Sequence, residues 1–241
     1  MAWNIRAGGG RRAEGIVRQL HQWNPDLAIL SEFRGTPASQ AIARSLAEHG
    51  LPHQRSTCSS EHLARNALLV ASRWPLRRTR SPRDLTDSER WLRVRVLAPR
   101  PFDVIAVHVP NRVTKRKYPF LDAITDLVAS WRAQPAVVVG DTNTGRIGLD
   151  EESCAFNARE EQWMLHIEAL GWRDAFRMLH PRAREFTWYS PNGNNSFRLD
   201  QAFVHPALGE RLTAVRHVWG EGDSKRRDAL SDHAAMVLDF L

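Results

Sequence analysis

Ala136-Val137-Val138-Val139-Gly140-Asp141-Thr142-Asn143 is the stretch on which the fold turns. The apolar run reads as a strand buried on both faces. It stops at an acid and an amide, groups that are costly to bury without partners. The same grammar recurs elsewhere in the chain. Residues 27–30 deliver Ser31-Glu32, and Val104 to Val107 lead to His108. Ser231-Asp232-His233 stands just before the last apolar run. Asn4 lies within the first strand-like segment, and Asp200 is the exception, set inside its run after Leu199.

The elements around these points alternate. Residues 2–6 read as a strand, ended by Gly8-Gly9-Gly10. Residues 12–23 place Ile16, Val17, Leu20 and Trp23 at helical spacing, and Asn24-Pro25 stops them. A short buried strand over 27–30 and a second helix over 37–49 follow. Strand, helix, strand, helix is the mark of α/β layering. The middle differs: 67–71, 91–97 and 102–108 are successive strands, which suggests antiparallel pairing, and 91–97 alternates apolar with basic residues. Helices are expected over 119–131 and 157–170, with Gly171 as C-cap. Further strands are expected over 186–189, 197–204, 212–219 and 234–241. The expected class is α+β: a four-layer α/β/β/α sandwich, two packed mixed sheets with helices outside, made by residues 1–241 as one domain.

Composition is ordinary for a globular protein, with 42% hydrophobic and 25% charged residues. No apolar run approaches the roughly 18–20 residues that span a bilayer. The start of the chain runs straight into a strand, so no signal peptide is expected. Two cysteines, Cys58 and Cys154, make no disulfide framework, and a cytoplasmic location is the default. The net charge of +7 favours a polyanion, nucleic acid or an anionic membrane surface, against the alternative of a solvated, arginine-heavy surface. Basic residues cluster at Arg77-Arg78-Arg80-Arg83, at Arg112-Lys115-Arg116-Lys117 and at Lys225-Arg226-Arg227, all between expected elements.

Glu32, Asp141, Asp200 and Asp232 supply carboxylates, and Asn4 and Asn143 neutral oxygens. That donor set suits Mg²⁺ or Mn²⁺. His108 and His233 add groups that titrate near neutrality. Hard metal, histidines and a basic rim together describe a phosphodiester hydrolase.

The ordered pieces Trp3-Asn4-Ile5, Leu30-Ser31-Glu32, Asn66-Ala67-Leu68-Leu69, Val107-His108-Val109-Pro110-Asn111, Val139-Gly140-Asp141-Thr142-Asn143, Arg198-Leu199-Asp200 and Ser231-Asp232-His233 span nearly the whole chain. In that order they resemble the endonuclease/exonuclease/phosphatase superfamily, the fold of pancreatic deoxyribonuclease, and most of all its exonuclease III and AP endonuclease branch. The resemblance implies that Glu32 is the principal metal ligand, with Asn4 beside it and Asp232 a further metal-side carboxylate. It implies that Asp141 orients or deprotonates the attacking water, also on the metal side, and that Asn143 bonds the phosphate. Asp200 would orient His233, which contacts the scissile phosphate, and His108 would act as acid or phosphate contact. Asn66, Asn111 and Arg112 are implied substrate contacts, and Trp188 and Phe197 fall where AP endonucleases place aromatics around the sugar. One departure is Thr142, where the family usually has an aromatic.

Plainer readings stand beside these. Asp141-Thr142-Asn143 alone is compatible with an Asx-type turn, and His108 with a satisfied core histidine. Trp188 and Phe197 are equally compatible with strand packing. His49, His53, Cys58 and His62 match no tight zinc spacing. The leading expectation is a Mg²⁺- or Mn²⁺-dependent phosphodiesterase on nucleic acid, DNA before RNA, with no membrane and no obligate protein partner. The alternatives are a phosphatase or phosphodiesterase on small phosphoesters or phospholipid head groups, and a nucleic-acid-binding module without activity. Calorimetry of metal binding separates the last from the enzymes.

Overall fold

The computed structural model describes residues 1–79, 87–132, 134–191, 195–220 and 230–241. One six-stranded sheet has the order β13-β14-β1-β2-β4-β3. Its strands are β1 (Ala2–Asn4), β2 (Leu27–Phe33), β3 (His53–Ser56), β4 (Ala67–Ser72), β13 (Leu212–Val218) and β14 (Ala235–Phe240). The other has the order β5-β6-β7-β8-β12-β9. It comprises β5 (Leu76–Arg78), β6 (Trp91–Val96), β7 (Phe102–His108), β8 (Ala136–Asp141), β9 (Arg173–Asp174) and β12 (Asp200–Val204). A small hairpin, β10 (Trp188–Tyr189) with β11 (Ser196–Phe197), lies apart. The helices are α1 (Ala13–Trp23), α2 (Pro37–Glu48), α3 (Lys117–Ser130), α4 (Ala158–Ala169), α5 (Ala175–Leu179) and α6 (Pro206–Gly209). No described helix is long and apolar enough to cross a membrane.

The strand periodicity of two explains the layers. In β8, Val137 and Val139 face the opposite sheet while Val138 packs outward; in β7, Val104 and Ala106 face inward and Ile105 and Val107 outward. The inward residues meet Ala2, Ile29, Leu68, Val70 and Met236 of the first sheet. Outward residues of the second sheet pack on α3 and α4 through Phe120, Ile124, Trp163 and Met164. Those of the first, including Trp3 and Leu30, pack on α1 and α2 through Ile16, Leu20, Ile42 and Leu46. Both sheets are thus covered on both faces, the expected four-layer sandwich.

Several expectations need correction. The strands at 67–71 and 91–97 belong to different sheets: β4 pairs with β2 and β3, so of the three strands expected to pair in succession only β6 and β7 do so. The run 197–204 is two strands, β11 and β12, broken at Arg198-Leu199, so Asp200 opens its strand instead of lying inside it. α3 starts at Lys117, which is buried and not part of a solvated loop. Arg80, Arg83 and the Lys225-Arg226-Arg227 cluster lie outside the described residues.

Candidate active site

Strand register assembles the centre of the site. His108 on β7 pairs with Asp141 on β8, and Asp141 pairs with Asp200 on β12. All three continue the parity of the inward-facing residues, so they form a polar row at the rim of the inter-sheet core. The first sheet meets this row with Asn4, two residues after the inward-facing Ala2. The Asn4 amide bridges the sheets, donating to Asp141 Oδ2 at 3.1 Å and to Glu32 Oε1 at 3.3 Å.

Glu32 reaches the site through a defect. By alternation it would point with Leu30 toward α1 and α2. A register shift between Ser31 and Phe33 puts Phe33 there instead, and Glu32 takes φ +54°. Such bulges re-aim side chains next to functional sites. The Ala7 N–H donates to Glu32 Oε2 at 2.7 Å, delivered by a run from Arg6 to Gly10 with every φ positive.

Asn143 also adopts a left-handed conformation, φ +49°. Its N–H donates to Asp141 Oδ1 at 3.0 Å and its Nδ2 to the Val109 carbonyl at 2.8 Å. The Asx turn read at Asp141-Thr142-Asn143 is therefore present, and it lies within the cluster. Thr142, in place of the usual aromatic, donates its hydroxyl to the Leu199 carbonyl at 2.9 Å.

His233 is fixed on every side. Its Nδ1 bonds Asp200 Oδ2 at 2.9 Å, and its Nε2 stands 3.9 Å from Asp141 Oδ2. Its N–H donates to Ser231 Oγ, which donates in turn to the Asn4 carbonyl at 2.5 Å. Its carbonyl accepts from Trp3 Nε1 at 3.0 Å. Asp200 is held by Thr187, whose Oγ1 accepts from the N–H groups of Leu199 and Asp200 at 2.9 and 3.1 Å. Asp232 points away from this pair: its Oδ2 accepts from Trp188 Nε1 at 3.4 Å and lies 3.9 Å from Arg6 Nε.

Burial and charge set the protonation states. Burial alone would lower the His233 pKa, but Asp200, Asp141 and Asp232 outweigh it and raise it to about 10. His108, 3.6 Å from Asp141 Oδ2, goes the other way: burial, then the positive Arg90 and His233, hold it well below 6.5. Burial pushes Asp141 up to about 7, with Asp200 adding to the effect and His233, Asn143 and Asn4 opposing it.

The expected substrate contacts are more scattered. Trp188 and Phe197 face each other across the hairpin with ring centroids 5.8 Å apart, and Trp188 lies 6.3 Å from the His233 ring. Asn66 accepts from Arg34 Nε at 2.7 Å. Arg112 is exposed and donates to the Ala155 carbonyl at 2.8 Å, and Asn111 is exposed beside it. Ser231, Thr187 and Lys117 are members of the site to which sequence reasoning gave no role. Ser231 stood in the triplet itself, Lys117 in a basic cluster read as lying between elements, and Thr187 carried no motif.

A hard divalent cation fits the donor set. Among the described residues, no three His, Cys, Asp or Glu side chains converge to chelate an ion. Mg²⁺, however, takes one or two carboxylates and keeps several waters. Glu32 with Asn4 offers that arrangement. The Asn4 Oδ1 accepts from the Arg6 N–H at 3.0 Å and keeps a second lone pair for an ion.

The family profile of the Endonuclease/Exonuclease/phosphatase family matches residues 1–233. The chain belongs to that family. Comparison with curated protein sequences gives no match. Among solved structures, an AP endonuclease from Archaeoglobus fulgidus superposes with a TM-score of 0.80 at 22% identity, covering 99% of this chain and 97% of that one. A 3′-5′ exonuclease from Neisseria meningitidis gives a TM-score of 0.80 at 24% identity, covering 99% and 98%. A variant 3′ phosphatase from Neisseria, bound to a product DNA hairpin, gives 0.78 at 22% identity, covering 100% and 98%. These likenesses establish the fold of this Endonuclease/Exonuclease/phosphatase family member.

Proposed function

We propose that this protein is a divalent-metal-dependent phosphodiesterase acting on DNA, at abasic sites or 3′ ends. The observation that carries the reading is the buried row His108–Asp141–Asp200, with His233 bonded to Asp200 and facing Asp141 beside Glu32 and Asn4. A Mg²⁺ or Mn²⁺ ion held by Glu32, with Asn4, Asp141 and Asp232 on its side, would neutralise phosphate charge and stabilise the leaving oxyanion.

The chain's own groups divide the remaining work. Asp141, whose carboxyl is pushed by burial above the ordinary carboxylate range in the metal-free site, takes the proton of the attacking water. His233 is an imidazolium oriented by Asp200 and contacts a non-bridging phosphate oxygen. Asn143 presents its amide to the same phosphate, and neutral His108 hydrogen-bonds beside it. Trp188 and Phe197 form an aromatic shelf next to His233, suited to the sugar or base flanking the scissile bond. Arg112 and Arg6 extend a basic approach for the backbone. The structural likeness to an AP endonuclease and to a 3′ phosphatase bound to a product DNA hairpin supports the choice of DNA.

The test is a substrate panel with and without Mg²⁺ or Mn²⁺: abasic duplex, intact duplex, 3′-phosphate ends, single strands, RNA and a generic phosphodiester. Hydrolysis of an abasic or 3′-end DNA substrate is expected, and Glu32→Gln, Asp141→Asn and His233→Ala each lower it by at least about 100-fold while remaining folded by circular dichroism. Preference for the small ester or for RNA would refute the DNA assignment. Near-normal turnover by His233→Ala would refute the mechanism.

A further inference from the structure

Lys117 is a buried cation at the edge of the site that the scheme above does not use. It is 2% exposed, at the first position of α3. Its Nζ donates to the backbone carbonyl of Asn143 at 2.5 Å and to Glu160 Oε1. Glu160 is fully buried and fixed in turn: its Oε2 accepts from the Asn157 N–H at 2.9 Å, half of the capping box that starts α4. Arg112 Nε lies 3.7 Å from the same carboxylate. Taking an ammonium and a carboxylate out of water carries a penalty of several kcal/mol per ion, on the order recovered only with good geometry. A neutral donor would satisfy one carbonyl without that penalty. The ion pair is placed where the backbone leaves Asp141 and turns left-handed at Asn143.

The turn at Asn143 is held at three points. Its N–H bonds Asp141, its carbonyl accepts from Lys117, and its side-chain amide donates to Val109. Of these, only Lys117 comes from a helix. It ties the turn to α3 and, through Glu160, to α4, two elements packed on the outer face of the same sheet.

We infer that Lys117 is a positioning residue for Asn143: its ammonium, held by Glu160, locks the left-handed turn after Asp141 and so aims the Asn143 amide at the phosphate. This rests on the reading of Asn143 as a phosphate contact.

The full chain is used for the test, as Lys117→Met, Lys117→Arg, Glu160→Gln, Asn143→Ala and the Lys117→Met/Asn143→Ala double variant. Lys117→Met is expected to lower kcat by about 10- to 100-fold with KM within about twofold of the parent. Lys117→Arg should recover part of that loss. The double variant should be within about threefold of Asn143→Ala alone, because the lysine acts through the asparagine. Losses that multiply in the double variant, or a parental kcat in Lys117→Met, would overturn the positioning role. A parental rate in Asn143→Ala would instead refute the reading of Asn143. A readout independent of turnover is hydrogen exchange at the Asn143 N–H, expected to speed up at least about tenfold in Lys117→Met. Unchanged exchange overturns the proposal whatever the activity. If Lys117→Met does not fold, Glu160→Gln with Asn143→Ala supplies the same cycle.

Discussion

Two histidines in this site share a side chain and differ in charge. His233 has Asp200 at 2.9 Å, whereas His108 Nδ1 is buried with no hydrogen-bond partner and Arg90 acts on it electrostatically. The pH consequences have opposite signs. His233 has a folded pKa of about 10, above its unfolded value, so its stabilisation is complete below about pH 6.5 and fades as pH rises through 10. His108 has a folded pKa below its unfolded value, so the protein loses stability as pH falls below about 6.5 and the buried ring is driven to charge. In metal-free protein, ring NMR is therefore expected to show His233 as imidazolium and His108 as neutral imidazole at pH 7, with His233 titrating near 10. Asp200→Asn should pull His233 down toward or below the ordinary histidine value, since burial then acts with less opposition. A neutral His233 at pH 7 in the parent would contradict the assignment of charge. None of this was legible from Asp232-His233 as a dipeptide. The alternation of an extended chain separated the two side chains, but the partner of each is supplied by residues 33 or more positions away.

At the scale of elements, the parallel pair β7–β8 comes too close at one point to admit a side chain. Gly140 pairs with Val107, and a Cβ on Gly140 would stand 2.0 Å from the Val107 carbonyl oxygen, at φ +143°. The close approach sets His108 against Asp141 one residue later. Gly140→Ala is expected to destabilise the protein by about 2–4 kcal/mol in urea denaturation, through backbone clash and strain. A loss under about 0.5 kcal/mol would mean that the strands can part there without consequence. Most strands and helices with strong apolar patterns were readable to within a residue or two, because periodicity survives in sequence; β2 runs three residues past the expected 27–30 and so includes Glu32. β3, with the sequence His53-Gln54-Arg55-Ser56, was not: it is an edge strand without an apolar face. β9 and β11 are two residues long and too short to show a period. β4 is apolar on both faces, and such a run does not reveal which sheet will take it. Pro119 suggested a helix start, yet it is the third residue of α3, still within the first turn, where its missing N–H costs nothing.

For the whole molecule, the net charge of +7 and the proposed substrate together predict steep salt dependence. Binding of a short DNA duplex to an inactive Glu32→Gln variant, followed by fluorescence anisotropy, is expected to weaken linearly in log–log form with salt, with a slope near −0.9 for each phosphate neutralised. A flat response would show that the basic residues are only a solvated surface. Glu32, His108, Asp141 and His233 were visible one by one at strand ends, and Asn4 and Asp200 inside their runs; their convergence was not, because the Asn4–Asp141 bond joins residues 137 positions apart across two sheets. The place of β1 carries one more consequence. It lies between β14 and β2, and the Ser231 hydroxyl bonds the Asn4 carbonyl. β1, near the start of this sequence, therefore needs β14, near its end, before its ladder is filled. Without residues 230–241, β1 has one open edge and the tether from Ser231 to Asn4 is lost. Truncation ahead of Ser231 is therefore expected to remove the support of Asn4 together with His233, even though every strand of the sandwich but β14 is kept.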